Sequence, residues 1–123
     1  MCLNERLHRW GEFGAAGPWP LMERQRLAGR LRRLPAAEVL GFPVGVASGR
    51  RARLLGLAGL DRERAGVGLL IPRCRSVHTF GMRFPLDVVF LDLDGRPLAA
   101  HWSVGPRRVL WNRRASAVLE LVG

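Results

Sequence analysis

The stretch "CRSVHTFGMRFPLD", residues 74 to 87, carries a thiol, an imidazole, a thioether, a guanidinium and a carboxyl at Cys74, His78, Met82, Arg83 and Asp87. Cysteine and histidine can act as nucleophile and base or ligate a metal. Histidine and aspartate can pass protons, and arginine grips a carboxylate or phosphate in a bidentate fork. Spacing discriminates among these. Four residues apart, Cys74 and His78 share an ion only on a helix or a folded loop; along a strand they lie about 13 Å apart. That argues against a transition-metal centre and against a Cys/His nucleophile, and no Gly-x-Ser-x-Gly turn supplies another. No metal and no cofactor is expected, and Cys74 reads as a small buried hydrophobe. The "DLDG" run at 92 to 95 lacks the later acidic ligands of a calcium loop and reads as a plain turn.

Asp87 opens the run "LDVVFLDL" on the same face as Val89 and Leu91, where a carboxylate without a partner is costly. Arg83 is the expected bidentate partner, with the indole N–H of Trp102 as a second donor. The pair reads as a structural lock for the loop or as the polar floor of a pocket walled by Met82, Phe80, Phe84 and Trp102. The expected ligand-binding residues are His78, Met82, Arg83, Asp87 and Trp102.

Those residues must be positioned by strands. "LDVVFLDL" is apolar on both faces, as in a central strand, and Asp94-Gly95 is the favoured two-residue type I′ turn. A tight turn there pairs Leu93 with Arg96, Leu91 with Leu98, Val89 with Ala100, Val88 with His101 and Asp87 with Trp102. It also places Pro97 opposite Asp92, at an edge. "EVLGFPVGVAS", "GVGLLIP", "RVLWN" (108 to 112) and "SAVLELV" (116 to 122) are further strand candidates, and "GRRARLLGLAGL" suits a short helix or turn. The fold class expected is mainly β with minor helix, a compact antiparallel barrel-like or sandwich-like single domain.

Residues 1 to 35 differ in character. "PLMERQRLAGRLRRLP" is bounded by prolines and predicts a helix over 21 to 34, with Leu27, Leu31 and Leu34 on one stripe and Arg26, Arg30 and Arg33 on the next. This N-terminal extension precedes the β domain at 36 to 123 and is expected to be dispensable for its folding. Twenty arginines and no lysine against ten acids give a net charge of +10. An anionic partner fits that balance, whereas nucleic acid is less favoured because the charge is spread along the chain. Cys2 and Cys74 are not expected to pair. The start "MCLNERLHRWGEF" lacks the apolar run of a secretory signal and no stretch is long and apolar enough to span a bilayer, so a cytoplasmic location is expected.

Residues 37 to 122 resemble the Domain of Unknown Function 192 family. The resemblance rests on "VHTFGMRFPLDVVFLDLDG", with Met82, Arg83, Pro85 and Asp87 at its signature positions, and on the "GLL" and "VLEL" runs. It implies a compact, mostly antiparallel β domain with little helix and supplies no activity. It also implies a further turn and strand beyond Gly123, whose loss would leave a sheet edge open or reduce stability. Taken together, the residues favour a non-enzymatic binding or interaction module for a small anionic ligand or a protein partner. The alternative is an enzyme using Asp87 as general acid or base with His78 assisting, and the two separate on whether both side chains reach one open cleft.

Overall fold

The structure, a computed structural model, describes residues 27–123. Six strands form one mixed sheet in the order β1 (Ala36–Val39), β2 (Phe42–Val46), β3 (Gly68–Pro72), β8 (Ala117–Val122), β5 (Leu86–Leu91), β6 (Pro97–Val104). It is not a closed barrel: β1 and β6 are its edges. A second sheet pairs β4 (Ser76–His78) with β7 (Val109–Trp111). Every pairing is antiparallel except β2 with β3. Parallel neighbours need a crossover connection, and here it carries the helix α2 (Arg50–Leu55) and a 3₁₀ turn at Arg62–Arg64.

The central strands bury both faces. Leu69, Ile71, Leu86, Val88, Phe90 and Val118 pack with Leu27, Leu31, Leu57, Val77 and Phe84 in one cluster. Val44, Val46, Leu70, Val89, Leu91, Leu119 and Leu121 form another. At about 1.5 to 3 kcal/mol per buried aliphatic side chain, these layers supply most of the driving force. β8, the last strand described, runs between β3 and β5 in the interior of the sheet.

Two turns depart from expectation. The β1–β2 hairpin turns on Leu40 and Gly41, with φ of +51° and +83°, and pairs Val39 with Phe42. This is the two-residue primed turn that was expected at Asp94-Gly95. At the latter site only Gly95 has positive φ. The Asp92 carboxylate accepts the N–H groups of Asp94 (2.8 Å) and Arg96 (2.9 Å), which builds a longer loop around an Asx turn. Val88 still faces His101 and Val89 faces Ala100, but Leu91 now faces Pro97 in place of Leu98. A second shift between Leu86 and Val88 leaves Trp102 and Ser103 together opposite Asp87, a β-bulge with Ser103 at φ +51°.

Residues 21 to 26 of the expected helix lie outside the described residues, as does Cys2. The helical part described is α1 (Gly29–Arg32). Its leucine stripe is as expected: Leu27 and Leu31 are buried, and Leu34 packs on the same cluster. The arginine stripe is not wholly solvated. Arg30 Nη2 donates to the carbonyls of Gly56 (3.1 Å) and Ala58 (2.5 Å), tying α1 to the end of α2.

Candidate functional site

The loop from β4 to β5 does not form the expected arginine–aspartate pair. Arg83 Nη1 reaches Asp61 Oδ1 at 2.9 Å, an exposed bridge with each side chain 60% accessible. Asp87, half-buried, accepts the N–H of Ser103 at 2.8 Å. The physical reason is the bulge: its extra residue turns a backbone donor toward the carboxylate that needed one, and Arg83 is left to the nearest acid on the 3₁₀ side. Trp102 stands 67% exposed on the edge strand β6, Phe80 is exposed, and Phe84 is buried in the core beneath the Arg62 guanidinium. Arg83, Asp87 and Trp102 therefore do not share a pocket floor.

His78 and Met82 do come together, on a cleft of about 350 Å³ between the end of α2 and the β3–β4 connection. Arg53, Leu54, Leu55, Gly56, Leu57 and Ala58 line one side, and Arg73, Cys74, Arg75 and Ser76 line the other. Arg53 Nη2 donates to the Arg73 carbonyl at 2.8 Å and so joins the two sides. Cys74, expected as a buried hydrophobe, is half-buried and lines this cleft, its thiol donating to Ser76 O at 2.9 Å. His78 Nδ1 accepts the Phe80 N–H at 3.2 Å.

The cleft also contains a residue that the motif reading passed over. Glu120 sits in the middle of β8, flanked by Leu69 on β3 and Val88 on β5, and is 3% exposed. Its Oε1 is buried with no hydrogen-bond partner. Burial away from water disfavours the charged form and pushes the carboxyl up from 4.5 to about 7. Gly56, at the C-cap of α2, covers it: a β-carbon added there would lie 3.3 Å from Oε1, and the residue's φ of +51° with ψ of −128° suits glycine alone. The other close approach is at Gly68, where an added β-carbon would lie 2.3 Å from the Glu120 carbonyl oxygen, so glycine lets β3 lie against β8. The signal that could have found Glu120 is its isolation as the one ionisable side chain in "AVLELV".

The fold is similar to that of two solved proteins. A crystal structure of a Novosphingobium aromaticivorans protein of unknown function is similar with a TM-score of 0.62 at 20% identity, over 89% of this chain and 84% of that one. A Sinorhizobium meliloti protein described as a candidate transcription regulator is similar with a TM-score of 0.54 at 21% identity, over 72% and 78%. Both likenesses concern the fold. No curated protein matches the chain in sequence. The DUF192 family model, described as an uncharacterized ACR, matches residues 34–123, and the chain belongs to that family.

Proposed function

We propose that this domain is a binding module that takes a small anionic ligand in the cleft between α2 and the β3–β4 connection. The observation that carries the reading is that Arg53, Arg73 and Arg75 line one concave surface whose single acid, Glu120, is buried with its Oε1 unpartnered. A fold that leaves a buried polar atom unsatisfied forgoes about 1 to 3 kcal/mol, and such sites cluster where a ligand completes the bonding. Arg53, Arg73 and Arg75 provide the anion contacts, and Leu55, Leu57 and Met82 the apolar walls. The acid–base alternative needs Asp87 and His78 in one cleft; His78 lines this one, while Asp87 is engaged with Ser103, which favours binding over catalysis.

The test is calorimetric titration with phenylacetate and phenyl phosphate. Wild type is expected to bind at least one of them. Arg73→Ala and Arg75→Gln should each weaken binding about tenfold, the value of one lost charge-assisted hydrogen bond. Affinities unchanged in both variants, or no binding of either anion, would overturn the proposal. No helix among the described residues is long and apolar enough to cross a membrane.

A further inference from the structure

We infer that the ligand of this cleft is amphoteric, with its anionic group at the arginine margin and a protonated amine meeting Glu120 at the floor. This deepens the reading of the cleft as a small-ligand site and rests on it. The polar groups lining the cleft differ in what they have left to offer. The Cys74 thiol is spent on Ser76 O, and His78 Nδ1 accepts the Phe80 N–H. One Arg53 nitrogen is spent on the Arg73 carbonyl. Glu120 Oε1 has no protein partner.

Nor is a partner at hand along the sheet. Glu120's cross-strand neighbours are Leu69 and Val88, both aliphatic. The covering residue is Gly56, where an added β-carbon would lie 3.3 Å from Oε1, so only a glycine backbone separates the carboxyl from α2. Behind it Arg30 Nη2 bonds the Gly56 and Ala58 carbonyls and ties that backbone to α1, while Arg30 Nε is buried without a hydrogen-bond partner. The charged and titratable groups facing the cleft are Arg53 from α2, Arg73, Cys74 and Arg75 from the β3–β4 connection, and His78 from β4. A purely anionic ligand satisfies the arginines and leaves Glu120 unbonded or repelled. A ligand with both groups satisfies both ends, and an ammonium is the donor that also neutralises an ionised carboxylate. Burial raises the proton affinity of Glu120, and a cation bonded to the carboxyl would offset that cost.

Three compounds with one phenylalkyl body separate the contributions: phenylalanine carries both groups, 3-phenylpropanoate the anion alone, and phenethylamine the amine alone. Calorimetry of wild type at about pH 8 is expected to give phenylalanine at least tenfold tighter binding than 3-phenylpropanoate. Because the amine needs the ionised carboxyl, that advantage should shrink toward tenfold per pH unit as pH falls below about 7. Glu120→Gln should remove the advantage while keeping 3-phenylpropanoate binding, and the wild-type pH series stands alone should that variant fail to fold. Equal affinity of phenylalanine and 3-phenylpropanoate in wild type, or an advantage that grows as pH falls, overturns the inference and leaves the anion site intact. An advantage retained in Glu120→Gln also overturns it. Tighter binding of phenethylamine than of phenylalanine, or no binding of any of the three, removes the anion site as well.

Discussion

Replacing Glu120 with glutamine keeps the shape of the side chain and removes its ionisation, so the pH dependence of stability isolates what burial does to this carboxyl. Below about pH 4.5 the group is protonated in both the folded and the unfolded chain and contributes no pH dependence. Between 4.5 and about 7 the unfolded chain releases the proton while the folded one holds it, which favours unfolding as pH rises. Above 7 both states are ionised and the loss is complete. At 1.36 kcal/mol per pH unit, the step from 4.5 to about 7 amounts to roughly 3 kcal/mol. Against a domain stability of about 5 to 15 kcal/mol that is a large fraction. Urea melts of wild type and Glu120→Gln at pH values from about 4 to 8.5 should therefore diverge, the variant gaining roughly 3 kcal/mol on wild type across the range. The buried amide adds its own constant offset, which does not change with pH and drops out of the comparison. Parallel curves would show that Glu120 is solvated in the folded protein, and the argument for an unsatisfied carboxyl in the cleft would fail with them.

Thr79 is fully buried, donates to Gly105 O at 2.7 Å and accepts the Arg108 N–H at 2.9 Å; Thr79→Val should cost about 1 to 3 kcal/mol in a denaturant melt by orphaning both groups. Leu31→Ala should cost about 2 to 5 kcal/mol, because Leu31 is 4% exposed within the main cluster. A chain starting at Pro35 should accordingly melt well below the full chain, against the dispensability expected of this segment. Arg83→Met should cost less than about 1 kcal/mol, since its bridge to Asp61 is mostly exposed; a loss of 3 kcal/mol or more would restore the buried pair with Asp87.

The strands were legible where the chemistry is local. "GLLIP", "LDVVFL" and "AVLELV" are apolar on both faces, and all three are interior strands of the larger sheet. The centre of the hairpin register followed from alternation, as Val88 opposite His101 shows. Its ends did not, because both are set by side-chain competition for the backbone. Asp92 captures two N–H groups and lengthens the turn, and Asp87 captures the bulged Ser103. Leu40 at positive φ hid the other hairpin, since a leucine gives no turn signal. The parallel β2–β3 pair depends on a crossover of twenty-odd residues, which no local pattern encodes.

The site was legible by half, and the reason is geometric. His78 and Met82 were both among the expected ligand-binding residues, and both line the cleft. Arg83 and Asp87 looked like a pair because each is the nearest opposite charge to the other in sequence, yet a carboxylate accepts equally well from a backbone N–H, and a bulge supplies one without the entropy of holding a long side chain. Glu120 lies at the far end of the chain from the motif, so proximity in sequence could not join it to His78. What joins them is the strand order: β8 runs beside β3, and the connection leaving β3 carries the chain toward β4. An acid in a strand buried on both faces has a stated cost wherever the strand ends up, and that cost, more than the density of reactive residues in the loop, is what marks the cleft.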